Sequence, residues 1–155
     1  QGDRPKIILL DNEKEEIEFV QKWIVNQVHS GIKPFEIGVF VRGDQQYQRA
    51  LTAIKESGNT AVVLNYKLDG DESAVNYGNM HLAKGLEYRS VVVMACDQDV
   101  LPLKDRLNLF SEPVDIEEVE RTERHLLYVA CTRARENLLV TGVGVGSKFL
   151  YELIN

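Results

Sequence analysis

Apolar positions along this chain fall into short runs separated by helically spaced stripes, and that alternation predicts the architecture. Residues 6–10, 37–41 and 61–64 read as strands. Val91-Val92-Val93-Met94-Ala95 is β-branched without alternation, as in a strand of a parallel sheet covered on both faces. Between the first two runs, Ile17, Val20, Ile24 and Val28 recur at helical spacing. Asn12 with Glu15 three residues on fits a capping box, and Gly31 stands where the helix would stop. Residues 44–57 read as a second helix with Gly58 beyond it, so the first half is β-α-β-α-β. Trp23, among helical apolar positions, is expected in the core or on its flank rather than as a stacking platform for bases.

The second half is less regular. Residues 65–77 are polar, carry Gly70 between Asp69 and Asp71, and read as a loop or hairpin. Residues 97–117 exceed the usual connection length, so a short helix or a functional loop is expected there. Residues 117–135 read as a helix with Leu126, Leu127, Val129, Ala130 and Ala134 on one buried stripe. Its acids come first and Arg133 and Arg135 last, as the helix dipole prefers. Residues 137–141 read as the last strand, and a final helix starts near Gly146.

Composition adds limits rather than a function. At 155 residues the chain is one domain by length and can bury roughly 70% of its unfolded surface. Cys96 and Cys131 lie in apolar settings, so free buried thiols are expected, which favours the cytoplasm. No apolar run approaches the ~18 residues of a membrane span. A formal net charge of -6 argues against a generally basic nucleic-acid coat and confines any DNA contact to a local track.

The densest chemistry lies in Asn79-Met80-His81-Leu82-Ala83-Lys84-Gly85-Leu86-Glu87-Tyr88, just before the Val91 run. Gly85 permits close backbone approach or a conformation that a Cβ forbids, His81 and Lys84 can donate to phosphate, and Glu87 can accept from a ribose hydroxyl. A nucleotide or a nucleic-acid backbone fits such a loop, and so does a tight turn with solvated charges. The second dense stretch is Glu123-Arg124-His125-Leu126-Leu127-Tyr128-Val129-Ala130-Cys131-Thr132-Arg133-Ala134-Arg135.

In that order, H-x-A-K-G-L-E-Y and L-x-Y-V-A-x-T-R-A resemble motifs V and VI of the UvrD/Rep family of superfamily-one DNA helicases. The strand ending in Arg42 resembles motif IVa, with Val41 for the usual Tyr and Asp44 for the usual Asn. Asn79 stands for the usual Thr, and His125 for a second Arg. The closing Ser147 to Leu153 resembles the end of the same domain. The resemblance implies an α/β, RecA-like, mainly parallel sheet with helices on both faces, a single C-terminal motor domain across 1–155. With residues 65–77 so short, no accessory domain is expected within it.

The resemblance also implies roles. Arg133 would be the catalytic arginine finger and, with Gly85 and Glu87, would bind ATP; His81, Asn79 and Arg42 would contact single-stranded DNA. Lys84 would pair with an acid, and the Tyr128 hydroxyl would bond to the nucleotide loop. No metal ligand is expected in this chain, since Mg2+ would be held mainly by a first motor domain of the same protein. Gly142 to Lys148 imitates a phosphate loop, but Phe149 follows the Lys where a hydroxyl is needed. The start at Gln1 without Met fits a fragment of a longer chain, inactive alone. A RecD-like branch fits less well, because its motif V carries Gln-Gly where Lys84-Gly85 stands here. The alternative from another class is a non-catalytic helicase-like module that binds DNA or protein.

Overall fold

The structure, a computed structural model, describes residues 5–65 and 71–153. Six strands form one sheet: β1 (Lys6–Leu10), β2 (Ile37–Val41), β3 (Thr60–Val63), β4 (Ala74–Asn79), β5 (Tyr88–Val93) and β6 (Ala134–Val143). Their order is β1-β6-β5-β2-β4-β3, and every neighbouring pair is parallel. All carboxyl ends therefore share one edge of the sheet and all amino ends the other.

Helices cover both faces: α1 (Glu13–His29), α2 (Tyr47–Glu56), α3 (Lys104–Leu107), α4 (Pro113–Cys131) and α5 (Leu150–Leu153). Asn12 caps α1 by accepting from the Glu15 N–H at 2.9 Å while its amide donates to the Glu15 carboxylate at 2.9 Å. On one face, Val20, Ile24, Ala50 and Ile54 of α1 and α2 pack on Ile37, Val39, Val41 and Val92, with Trp23 on the flank. On the other, Leu127, Ala130 and Leu150 of α4 and α5 pack on Phe40, Val91, Val93 and Val140. Successive residues of β2 thus enter opposite layers, and all five are buried. That is the physical reason why the central runs show no polar alternation.

Both cysteines are free and buried, and burial pushes the Cys131 thiol up to about 12. Among the described residues no helix is long and apolar enough to cross a membrane.

Several boundaries differ from the sequence reading. The segment 65–77 is not simply a loop: residues 66–70 lie outside the described residues, but β4 begins at Ala74. The strand Ala-Val-Asn-Tyr-Gly-Asn was hidden by its asparagines and Gly78, poor strand formers that burial between β2 and β3 overrides. The 117–135 helix starts earlier, at Pro113, whose fixed φ suits the first helical position. It also ends earlier, at Cys131, so Arg133 follows the helix and Arg135 belongs to β6. Leu103 to Leu107 contains the short helix anticipated in the long connection.

Candidate functional site

The stretch 79–88 runs from one edge of the sheet to the other. Asn79 closes β4 level with Val41 at the carboxyl edge, and Tyr88 opens β5 at the amino edge. The edges are separated by about 20 Å, the length of six strand residues. Between them Met80 and Ala83 are buried against the α4 face, with Leu82 and Leu86 beside them. Tyr88 anchors the far end: its ring lies where a side chain on Gly38 would stand, 2.7 Å from that Cβ position, and its hydroxyl accepts from Asn76 at 3.1 Å.

At the amino edge the structure brings Gly85, Glu87 and Arg133 together. Gly85 has φ +82 with open space where a Cβ would project, so its need is conformational. The Arg133 guanidinium donates from Nε to the Val129 carbonyl at 3.0 Å, from Nη1 to the Leu86 carbonyl at 3.3 Å and from Nη2 to the Thr132 hydroxyl at 3.0 Å. Its own carbonyl accepts from the Tyr88 N–H at 2.9 Å, which starts the β5–β6 pairing. No carboxylate pairs with Arg133 among the described residues. Glu87 instead meets Arg135 at 3.1 Å, both of them exposed.

Two subsidiary expectations fail here. Lys84 is exposed and pairs with no acid among the described residues. Tyr128 is 41% exposed, and its hydroxyl bonds nothing in the 79–88 stretch, since it sits off the buried stripe of Val119, Leu127 and Ala130.

At the carboxyl edge Asn79, His81 and Arg42 are neighbours, but their side chains are differently engaged. Asn79 Oδ1 accepts from the His81 N–H at 3.0 Å, and Nδ2 donates to Asp44 at 3.1 Å. The two departures from the helicase motifs, Asp44 and Asn79, are thus partners. Arg42 is corrected most: it does not line an open track but is 6% exposed and turned inward. Its Nε and Nη2 donate to the two oxygens of Glu123 at 2.8 and 2.7 Å. A planar guanidinium matches a carboxylate in that way, and burial requires the pairing. Arg42 Nη1 lies 3.4 Å from His81 Nε2. Burial first, and the Arg42 charge next, hold the His81 imidazole below its ordinary pKa of 6.5.

Glu123 escaped the sequence reading, as did a second cluster on the opposite face. There Glu16 is wholly buried and accepts from Arg49, from the Ala95 N–H at 2.8 Å and from the Thr141 hydroxyl at 2.7 Å. Asp97 takes the other side of Arg49 at 2.7 Å. A signal existed for both acids: Glu16 stands four residues before Val20, and Glu123 four before Leu127, each on the apolar stripe of its helix. Among the described residues no group of three or more His, Cys, Asp or Glu side chains is arranged to hold a metal ion.

Comparison with known proteins agrees with the motif reading. The family described as the UvrD-like helicase C-terminal domain matches residues 58–143, more than half of the chain. A probable DNA helicase II homolog of Mycoplasma pneumoniae is 35% identical over 72 residues, 46% of this chain and 9% of that protein. The ATP-dependent DNA helicase UvrD1 of Mycobacterium leprae is 24% identical over 153 residues, 99% of this chain and 19% of that protein. The chain thus spans less than a fifth of the length of these relatives. A solved structure, described as the C-terminal domain of a possible DNA helicase from a Lactobacillus, shares the fold with a TM-score of 0.74. It is 20% identical and is matched over 99% of this chain and 82% of its own. With the motif residues gathered at the two edges of an all-parallel sheet, and the family description covering most of that sheet, this chain belongs to the UvrD-like helicase C-terminal domain family.

Proposed function

We propose that this chain is the second motor domain of an ATP-dependent DNA helicase that translocates along single-stranded DNA. A first motor domain of the same protein would hold the nucleotide phosphates and Mg2+, and this domain would close over them. Between β3 and β4 lie only residues 64–73, too few for an inserted accessory domain.

The observation that carries the reading is the bonding of Arg133. Its donors rest on two backbone carbonyls and one hydroxyl, all neutral, beside the Gly85 turn. Among the described residues each of the other arginines pairs with an acid; one held by neutral oxygens can exchange them for the charged oxygens of a phosphate, which bond a guanidinium more strongly. The open space at Gly85 and the exposed Glu87 carboxylate fit a nucleotide at the same edge. ATP supplies a phosphoryl group whose transfer to water drives the domain motion. Arg133 would offer its fork to the charge on that group, Glu87 would accept from the ribose, and Gly85 would keep the loop low enough for both. At the carboxyl edge His81 and Asn79 would meet the DNA backbone, with Arg42 orienting His81 from behind.

The test is Arg133→Ala in the full-length protein. Nucleotide binding should change by no more than a few-fold, while DNA-stimulated ATP turnover falls by about 10³ or more. Arg133→Lys should restore little, because a point charge cannot reproduce the fork. Arg135→Ala, which removes only the exposed partner of Glu87, should do far less. Normal turnover in Arg133→Ala would defeat the finger role and leave Arg133 structural, whereas a full-length protein without ATP turnover would leave the non-catalytic module.

A further inference from the structure

Glu123 is fully buried in the middle of α4, and its carboxylate joins that helix to two other segments, the end of β2 and the stretch Leu103 to Arg106. One oxygen accepts from Arg42 Nε at 2.8 Å and from the Leu103 N–H at 2.9 Å. The other accepts from Arg42 Nη2 at 2.7 Å and from Arg106 Nη1 at 3.1 Å. Burial alone would raise the Glu123 pKa. The hydrogen bonds from Arg42, Leu103 and Arg106, with the Arg42 charge, instead bring it below the ordinary 4.5. It is therefore an ionised hub between the end of β2, the connection after β5 and α3.

The network extends in both directions. A guanidinium can only donate, so the 3.4 Å contact from Arg42 Nη1 requires His81 Nε2 to accept and puts the imidazole proton on Nδ1. On the other side, Arg133 stands ten positions after Glu123, just past the cap of α4, about 15 Å of helical rise. Arg133 holds Val129 of that helix with Nε and Leu86 of the 79–88 stretch with Nη1. Arg42, Glu123, α4, Arg133, Leu86 and His81 thus form a closed ring of contacts from one edge of the sheet to the other.

We infer that Glu123 is a positioning residue that ties occupancy of the DNA edge to the placement of Arg133, an inference that rests on the motor-domain reading. A phosphate that accepts from His81 Nδ1–H pulls on the same ring whose Nε2 accepts from Arg42 Nη1. The bidentate Arg42–Glu123 pair is planar and buried, so it passes a displacement to α4 rather than absorbing it in loose rotamers. The two carbonyls that hold Arg133 lie on different bodies, the helix and the 79–88 stretch, so any shift between them turns the fork.

The experiment is Glu123→Gln in the full-length protein, which keeps the size of the side chain but sets an NH₂ against arginine donors. The ratio of ATP turnover with saturating single-stranded DNA to turnover without it should fall about ten-fold or more. The ATP concentration for half-maximal turnover should stay within about three-fold. Glu123→Gln added to Arg133→Ala should lose no more than Arg133→Ala alone, because the first acts through the second. A lower melting temperature with an unchanged stimulation ratio, or fully additive losses, would overturn the inference and leave Glu123 as scaffold. Should Glu123→Gln fail to fold, Arg106→Gln removes one of the four donors at a half-exposed position. The ratio should then drop by about three-fold, and an unchanged ratio overturns the inference equally. A wild-type protein with no DNA stimulation at all would instead refute the motor-domain reading itself.

Discussion

The two edges of the sheet treat arginine in opposite ways. At the carboxyl edge, Arg42 and Arg49 are each nearly buried and paired with a fully buried glutamate, Glu123 on one face and Glu16 on the other. At the amino edge, Arg133 rests on neutral oxygens and Arg135 meets Glu87 in the open. Burying a charge demands a partner of opposite sign, and once matched the pair is committed to the scaffold. An arginine with neutral partners has a replaceable shell. The identity of its acceptors therefore separates the arginine suited to a ligand from those that hold the fold together. Motif position alone had assigned Arg42 to DNA and Arg133 to the nucleotide.

The strongest way to break this comparison is to remove a buried acid from the committed side. Glu16→Ala leaves the Ala95 N–H, the Thr141 hydroxyl and one side of Arg49 without their acceptor. It should cost about 3 kcal/mol or more in unfolding free energy, read from urea denaturation of this chain. A loss under about 1 kcal/mol, as for a surface pair, would mean that water or Asp97 replaces the carboxylate and that the cluster is not scaffold.

This contrast also bears on what could be read from the chain before its fold was known. The strands at 6–10, 37–41 and 91–93 and helix α1 were legible because their apolar periods and the Asn12 cap are local signals. β4 was not, since its Asn76, Gly78 and Asn79 become strand only through pairing with β2 and β3. The amino-edge trio was legible through its motifs, although Arg133 proved to follow the helix rather than end it. The inward turn of Arg42 was not legible, because its partner lies 81 residues away and nothing at Arg42 marks it. The acid that receives it did leave a trace, as a charge on the apolar stripe of α4.

A smaller effect tests the amino edge. At Gly85 a Cβ would meet no neighbour, so Gly85→Ala isolates the cost of a positive φ, about 1 kcal/mol of stability by denaturation. If the loop relaxes instead to a negative φ, the cost will shrink while the Arg133–Leu86 contact is lost, and nucleotide-dependent turnover in the full-length protein will report it.

Acid should act first at the exposed side of the carboxyl edge. The His81 pKa is lowered in the folded state, by burial and then by Arg42, so the unfolded chain binds the extra proton more readily. The stability from neutral His81 is therefore complete above pH 6.5 and is lost as pH falls through the lower folded value. The loss from Glu123 comes later, below its ordinary 4.5. Denaturation midpoints measured from pH 7.5 to 4 should show the first decline in wild type and a flatter profile in His81→Gln. Identical profiles would remove His81 from the Arg42 network.

The smallest expected effect is also a gain. Asp44 presents an exposed carboxylate to Asn79 at the edge where DNA is proposed to run, and a carboxylate repels phosphate. Asp44→Asn removes the charge but keeps an oxygen to accept from the Asn79 amide, so the local geometry should survive. Binding of single-stranded DNA to this chain is expected to be weak and salt-sensitive, and in Asp44→Asn it should tighten by about two- to five-fold at low salt, the size of one exposed charge interaction. The gain should fade as salt rises and screening shortens the reach of the charge. Equal affinity at low salt would mean that the DNA backbone does not pass Asp44, and the proposed track would then have to be drawn without Asn79.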